Sequence, residues 1–292
     1  MTRFKTAVDQ AVPNSGGTAP PQTPVPVHAA DCHIHVYDSR FAPVVSRVTN
    51  ATVSDYRLLQ KRLGLSRVVI VQPRNYGVDN SPTLDAIDQL GIDNARGVGV
   101  LRPDVSEADL DRLHAGGIRG LRFTVGDPAT AIVSVDMIDP IARRIERLGW
   151  HIQLNMPKGV ILANAALLGR LPVQIVFDHL AHVPSTDDES WRVVMGLVQA
   201  GKAWVKISGA YMNSDIGPPD YPEATRMAQA YVNAAPERLV WGTDWPHPSP
   251  KIKPDDAALF DLLTVWAPAE AVRHRILVQN PETLYGFPKS SE

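Results

Sequence analysis

Short β-rich runs alternate with longer helical patterns along this chain, and that alternation constrains its fold more than any other feature. About eight such runs stand out, at residues 29–36, 67–72, 96–101, 118–123, 150–155, 173–179, 203–208 and 239–244. Helical patterns fall between them. Residues 81–90 open with Ser81 as the expected N-cap and Pro82 in the first turn. Residues 106–117 end on paired glycines, 135–149 end at Gly149 and 188–201 at Gly201. Residues 221–236 and 255–268 supply two more. Eight strands alternating with helices over roughly 250 residues predict a (β/α)8 TIM barrel. An open doubly wound sheet is the competing architecture, but no glycine-rich phosphate turn follows the first strand.

The chain is 292 residues long, enough for one domain with a full core. No linker or internal repeat divides it, so residues 29–292 read as the barrel. Residues 1–28 read as an extended Pro-rich leader, lying across the base of the domain or moving freely. The leader starts with Arg3 and Lys5 but no apolar stretch follows, which argues against a signal peptide. Net charge is -2, so the chain has no general attraction to nucleic acid or to an anionic membrane. Affinity for an anion must then come from local arginines and lysines. No apolar run approaches the ~18 residues that a membrane span needs. Cys32 is the one cysteine, which excludes an internal disulfide and a thiolate metal cluster and fits a reducing cytoplasm.

In a TIM barrel the chemistry sits at the C-terminal ends of the strands. The first strand ends Asp31-Cys32-His33-Ile34-His35, and histidines two apart on a strand share a face. The sixth ends Asp178-His179 and the eighth Thr243-Asp244-Trp245. A lone strand-end histidine is usually a hydrogen-bonded structural residue. Three imidazoles and a carboxylate on one barrel mouth are harder to dismiss. Arg122 ends the fourth strand, Arg74 follows the second, and Arg40 and Arg47 lie in the loop after the first. Most surface arginines are merely solvated, yet Arg74, Arg122 and Arg47 stand where a guanidinium can hold a carboxylate bidentately. Arg119 lies near the start of its strand and reads as structural. Asn75, Tyr76, Asn155, Tyr211 and Asn213 are candidates to hydrogen-bond hydroxyls. His182 reads as a rim residue, His247 as structural, Trp245 as packing near the mouth, and His28, His114 and His274 as surface residues.

The segments DCHIHV, FDHLAH and VWGTDWPHP resemble the amidohydrolase superfamily. With VVIVQ, GIRGLRF and NPETLYG they are most similar to the branch of 2-pyrone-4,6-dicarboxylate lactonases, and within it to the galactarolactone isomerases. The resemblance covers most of the chain from residue 29 onward. It implies an enzyme that interconverts the delta and gamma lactones of a sugar diacid. The alternatives are a hydrolytic lactonase for a dicarboxylate lactone, a metal-dependent amidohydrolase or decarboxylase, and a non-catalytic protein that binds a sugar acid. The chain departs from metal-using relatives: the fifth strand ends Leu154-Asn155-Met156, where they carry a ligand, and His151 lies at the opposite end. Lys206 lies within the seventh strand, a few residues from its mouth. His33, His35, His179 and Asp244 remain, a set that can hold one Zn²⁺ in principle, but the resemblance implies no essential metal and no other cofactor. Asp244 is expected as general base, the three histidines as donors to the lactone carbonyl oxygen, and Arg122, Arg74 and Arg47, with Asn155 and Tyr76, as the substrate-binding groups.

Overall fold

The computed structural model describes residues 8–45, 49–126 and 131–289. Eight parallel strands follow one another around a single sheet in sequence order. They are β1 (Ala30–Ile34), β2 (Arg67–Val71), β3 (Ala95–Gly99), β4 (Ile118–Thr124), β5 (His151–Asn155), β6 (Ile175–Phe177), β7 (Ala203–Ile207) and β8 (Leu239–Trp241). Strands such as Arg67-Val-Val-Ile-Val71 are buried along their whole length, as parallel strands covered on both faces must be. The ring closes just beyond β8. Asp244 N–H donates to His33 O and His35 N–H to Trp245 O, each at 2.8 Å. Gly242 permits this closure, since a Cβ there would stand 2.6 Å from the His33 backbone nitrogen.

Helices cover the barrel: α1 (Val53–Leu63), α2 (Ser81–Leu90), α3 (Glu107–Ala115), α4 (Ile138–Ile145), α5 (Lys158–Ala163), α6 (Ala165–Arg170), α7 (Glu189–Gln199), α8 (Pro222–Ala234), α9 (Asp256–Trp266), α10 (Glu270–His274) and α11 (Asn280–Tyr285). Sequence reading missed α1, α5, α6, α10 and α11. The first of these was legible: Val53, Tyr56, Leu59 and Leu63 are its buried stripe, and Thr52 and Asp55 form a reciprocal capping box. Ser81 is the first helical residue rather than the cap. Asn80 precedes it and spends its amide on the Val100 backbone, at 2.9 Å in both directions. No helix among the described residues is long and apolar enough to cross a membrane.

Two apolar clusters hold the barrel. The larger lies mainly between strands and helices. The smaller includes Cys32, Val69, Val98, Val176, Trp204 and Val240, with Tyr285 and Phe287 from the C-terminal segment closing the base. The described part of the leader takes neither expected course. Trp245 Nε1 donates to Pro13 O at 2.9 Å, and the fully buried Arg62 donates to Gly16 O and Gly17 O at 3.0 and 2.8 Å. Gln22 and Thr23 then donate from their backbones to Asp261 on α9. The described part of the leader therefore starts at the mouth and is fastened along the barrel wall.

Candidate active site

A cavity of about 620 Å³ opens at the C-terminal ends of the strands. His35, His179 and Asp244 line it, together with Arg74, Asn75, Arg122 and Asn155. Tyr37, Thr124, Met212, Asn14 and Lys253 also line it, and sequence reading had named none of these five.

Asp244 is 2% exposed and sits with a left-handed φ of 65° at the turn after β8. Its Oδ1 lies 3.5 Å from His33 Nε2, 3.5 Å from His35 Nε2 and 3.8 Å from His179 Nε2. Its Oδ2 accepts the Tyr211 hydroxyl at 2.5 Å. Behind Tyr211 the chain of contacts continues: its oxygen lies 3.2 Å from His247 Nδ1, and His247 Nε2 donates to Asp256 at 3.0 Å. His247, read from the sequence as structural, thus stands behind Tyr211 in the support of Asp244. Burial works against the charge on Asp244, and the facing His179 imidazole outweighs it, holding the carboxyl below the ordinary carboxylate range.

The three histidines are not equivalent. His33 is fully buried beneath the cavity floor and does not line the cavity. It stands between two carboxylates, with Nδ1 3.3 Å from Asp178 Oδ1 and Nε2 facing Asp244. Burial drives its pKa well below the usual imidazole value. His35 spends Nδ1 on the Val71 carbonyl at 2.8 Å. A carbonyl only accepts, so that nitrogen carries the hydrogen, and in the neutral ring Nε2 is a bare acceptor. The expected donation from His35 to a carbonyl oxygen is therefore unavailable to its neutral form. His179 differs again: Ser208 Oγ lies 3.0 Å from Nδ1, and in the tautomer where the hydroxyl donates, the hydrogen sits on Nε2 beside the cavity. Burial lowers the His179 pKa to about 4.

Beneath these side chains runs a layer of buried ions. Asp178, fully buried, accepts Arg122 Nε at 3.0 Å and Gln153 Nε2 at 3.2 Å, and lies 3.6 Å from Lys206 Nζ. Lys206, equally buried, donates to Cys32 O and Gln153 Oε1 at 2.9 and 2.8 Å. Burial lowers its pKa to about 8. Arg122 thus enters the cavity from β4 already aimed by Asp178. Arg74 opens a one-turn 3₁₀ segment after β2. Tyr76, at the end of that turn, lies outside the cavity lining: it is fully buried, and its hydroxyl donates to Asp38 O while accepting Asp38 N–H. It braces the loop after β1 instead of facing a substrate. Arg47 lies outside the described residues. Arg40 pairs with Asp38 and Asp85 on the surface, and Asn155 Oδ1 accepts His182 Nε2 at 2.9 Å. Asn213 donates to Gly209 O. Trp245 is fully buried behind the mouth.

The donor set fits one divalent cation. His33 Nε2 and Asp244 Oδ1 are buried with no hydrogen-bond partner among the described residues. Ligands held about 2.0–2.2 Å from one tetrahedral ion stand about 3.3–3.6 Å apart, close to the three distances around Asp244 Oδ1. The Nδ1–H donation of His35 to a carbonyl is the second contact that metal-bound histidines make.

Comparison with known proteins agrees with this geometry. The profile of the amidohydrolase family matches residues 30–287. A 2-pyrone-4,6-dicarboxylate hydrolase of Comamonas testosteroni is 32% identical over 91% of this chain and 92% of its own. A D-galactarolactone isomerase of Agrobacterium fabrum is 32% identical over 79% of this chain and 80% of its own. An apo crystal structure from Agrobacterium tumefaciens superposes with a TM-score of 0.85 at 30% identity, covering 92% of this chain and 100% of that one.

Proposed function

The chain belongs to the amidohydrolase family, and we propose that its barrel mouth interconverts the delta and gamma lactones of a sugar diacid by intramolecular acyl transfer. One observation carries the reading: a single ionised carboxylate, Asp244, faces a cavity whose other described charged linings are Arg74, Arg122 and Lys253. Such a site attracts an anionic substrate and offers it one proton acceptor. The relatives named above act, by their names, on a lactone dicarboxylate and on a galactarolactone.

Asp244 Oδ1 takes the proton of a substrate hydroxyl, and the bare Nε2 of His35 beside it shares that proton. The freed oxygen attacks the lactone carbonyl carbon of the same molecule. His179 Nε2–H stabilises the oxyanion that forms. Arg122, aimed by Asp178, and Arg74 hold the free carboxylate and fix the ring. When the tetrahedral species collapses, the bond to the old ring oxygen breaks and that oxygen takes the proton back from Asp244. No proton is gained or lost overall. Tyr211, backed by His247 and Asp256, holds the other carboxylate oxygen in place throughout.

A cation held by His33, His35, His179 and Asp244 would polarise the lactone carbonyl as a Lewis acid. Charge balance supports placing the reaction on the side chains alone. Lys206 and Arg122 both pair with Asp178, leaving Asp244 as the second carboxylate of the set, while burial keeps His33 and His179 neutral. A dipositive ion would unbalance that buried set.

The second reading is hydrolysis, with water as the nucleophile at Asp244. The longer coverage of the hydrolase relative favours it. Incubating the protein with galactaric acid monolactones, followed by NMR and mass spectrometry, separates the two. Isomerisation changes ring size at constant mass. Open diacid, heavier by one water and formed without any ring exchange, would overturn the isomerase reading in favour of the hydrolase.

A further inference from the structure

The cavity has a second cationic wall that neither the sequence motifs nor the mechanism uses. Lys253 lies in the loop between β8 and α9 and lines the cavity. Its ammonium is fixed rather than waving: two of its three donors hold the backbone carbonyls of His247 and Pro250. Asn14, from the leader, also lines the cavity. The leader is pinned there by Trp245 on Pro13 O and by the buried Arg62 on Gly16 O and Gly17 O. A Cβ on Gly16 would stand 3.1 Å from Lys253 O, so leader and loop pack directly together. Asn14 has a left-handed φ of 62°, a conformation that asparagine tolerates better than most residues.

The strand order places this wall. In a ring of eight strands in sequence order, β4 and β8 stand opposite each other. Arg122 rises from β4, and Lys253 follows β8. The two cations therefore reach the same cavity from segments that belong to opposite strands, with the Asp244 carboxylate as the one described anion in its lining. A monoanion satisfies one of them.

We propose that Lys253 and Asn14 form a second anion-binding pole, so that the cavity holds a linear dicarboxylate end to end, one carboxylate at Arg122 and the other at Lys253. A monolactone places its one free carboxylate at Arg122 and its lactone carbonyl at His179, so the Lys253 pole is filled only by the second carboxylate of the open diacid. This rests on the proposed substrate class, but its test reads binding and not turnover.

The experiment is isothermal titration of the full chain with galactarate and with galactonate, which differ in one terminal carboxylate. A charge-assisted contact predicts that galactarate binds roughly tenfold or more tighter than galactonate. Lys253→Met should erase that preference by weakening galactarate alone, and Lys253→Arg should restore most of it. Asn14→Gly keeps the left-handed backbone and removes the amide; it should weaken galactarate about threefold to tenfold. Equal affinity of the wild type for both acids overturns the proposal. So does a Lys253→Met protein that loses both acids equally, since Lys253 then only staples its loop. Unchanged galactarate affinity in Asn14→Gly removes the leader from the site. If the protein turns over no diacid lactone yet shows the Lys253-dependent preference, the reaction proposed above fails and the pole stands.

Discussion

At the base of the barrel, the guanidinium carbons of Arg67 and Arg96 lie 5.5 and 5.0 Å from the centroid of the Phe287 ring. Their nitrogens donate to Glu282 and to the backbone carbonyls of Tyr285, Gly286 and Pro288. These cations are spent largely on the C-terminal segment that stoppers the barrel, and Arg96 also donates to the carbonyls of Ile92 and Ala95. At the mouth, Arg122 is spent only in part, on Asp178, and faces a cavity. Backbone conformation divides the same way. Among the described non-glycine residues with positive φ are His179, Leu180, Ala181, His182, Asp244, His247, Asn14 and Tyr221, all on the mouth side, with His28 alone at the base. Each such residue costs on the order of 1–3 kcal/mol. One end of the barrel carries the strain that aims its side chains, and the other end supplies stability.

The sharpest way to break that division is a pair of substitutions, one at each end. Asp244→Asn keeps the shape of the side chain and removes the proton acceptor. Turnover of a diacid lactone should fall by at least ~10²-fold while the melting temperature changes little. Near-normal turnover in the folded variant removes Asp244 from its role. Phe287→Ala does the reverse. Deleting a buried aromatic ring should cost about 3–5 kcal/mol of stability, read by denaturant unfolding, and leave kcat/KM of the folded protein unchanged. A large loss of kcat/KM there would mean that the two ends are coupled.

The same division explains what was legible in the sequence. Strands and mouth could be read because alternation in β-runs and chemically unusual strand ends are local signals: His33 with His35, Asp178 with His179, and Asp244. The supports of the site were not legible, because they are assembled across the fold. Tyr211, His247 and Asp256 come from three separate segments to stand in line behind Asp244. Lys206 read as a residue near the mouth, but only the barrel interior shows it bound to Asp178 and Gln153. Tyr76 misled because it lies two residues from Arg74; one 3₁₀ turn carries it inward to Asp38. The sequence likewise gives no hint that Val71 fixes the hydrogen on His35. Asn14 was hidden by composition, since a Pro/Gly-rich leader carries no periodicity to place it.

Arg122→Met sharpens the comparison with a smaller effect. At the base, arginines contribute packing and hydrogen bonds to the backbone. At the mouth, Arg122 should contribute recognition of a charge. The variant should lose roughly 1.5–3 kcal/mol of transition-state stabilisation for a diacid lactone, measured from kcat/KM, and much less for a neutral lactone of the same ring size. Equal losses for both substrates would place Arg122 with Arg67 and Arg96, as a brace for Asp178.

Chelation should have the smallest effect, and it tests what the buried ions are for. The donor atoms of His33, His35 and Asp244 are close enough for one cation, with His179 Nε2 3.8 Å from Asp244 Oδ1, so geometry alone does not decide. Charge and neighbouring chemistry favour the metal-free site. Two cations, Lys206 and Arg122, already stand at Asp178 next to the site, and Asn155, which ends β5, has its oxygen taken by His182. Isomerisation also gains nothing from an activated water, because the nucleophile is part of the substrate. Activity should therefore remain largely intact after dialysis against a strong chelator, with no rise on adding Zn²⁺ or Mn²⁺. Loss in chelator with recovery on adding either ion would move the four residues from proton transfer and oxyanion binding to metal ligation. The buried ion layer would then serve to hold a cationic centre and not to balance itself.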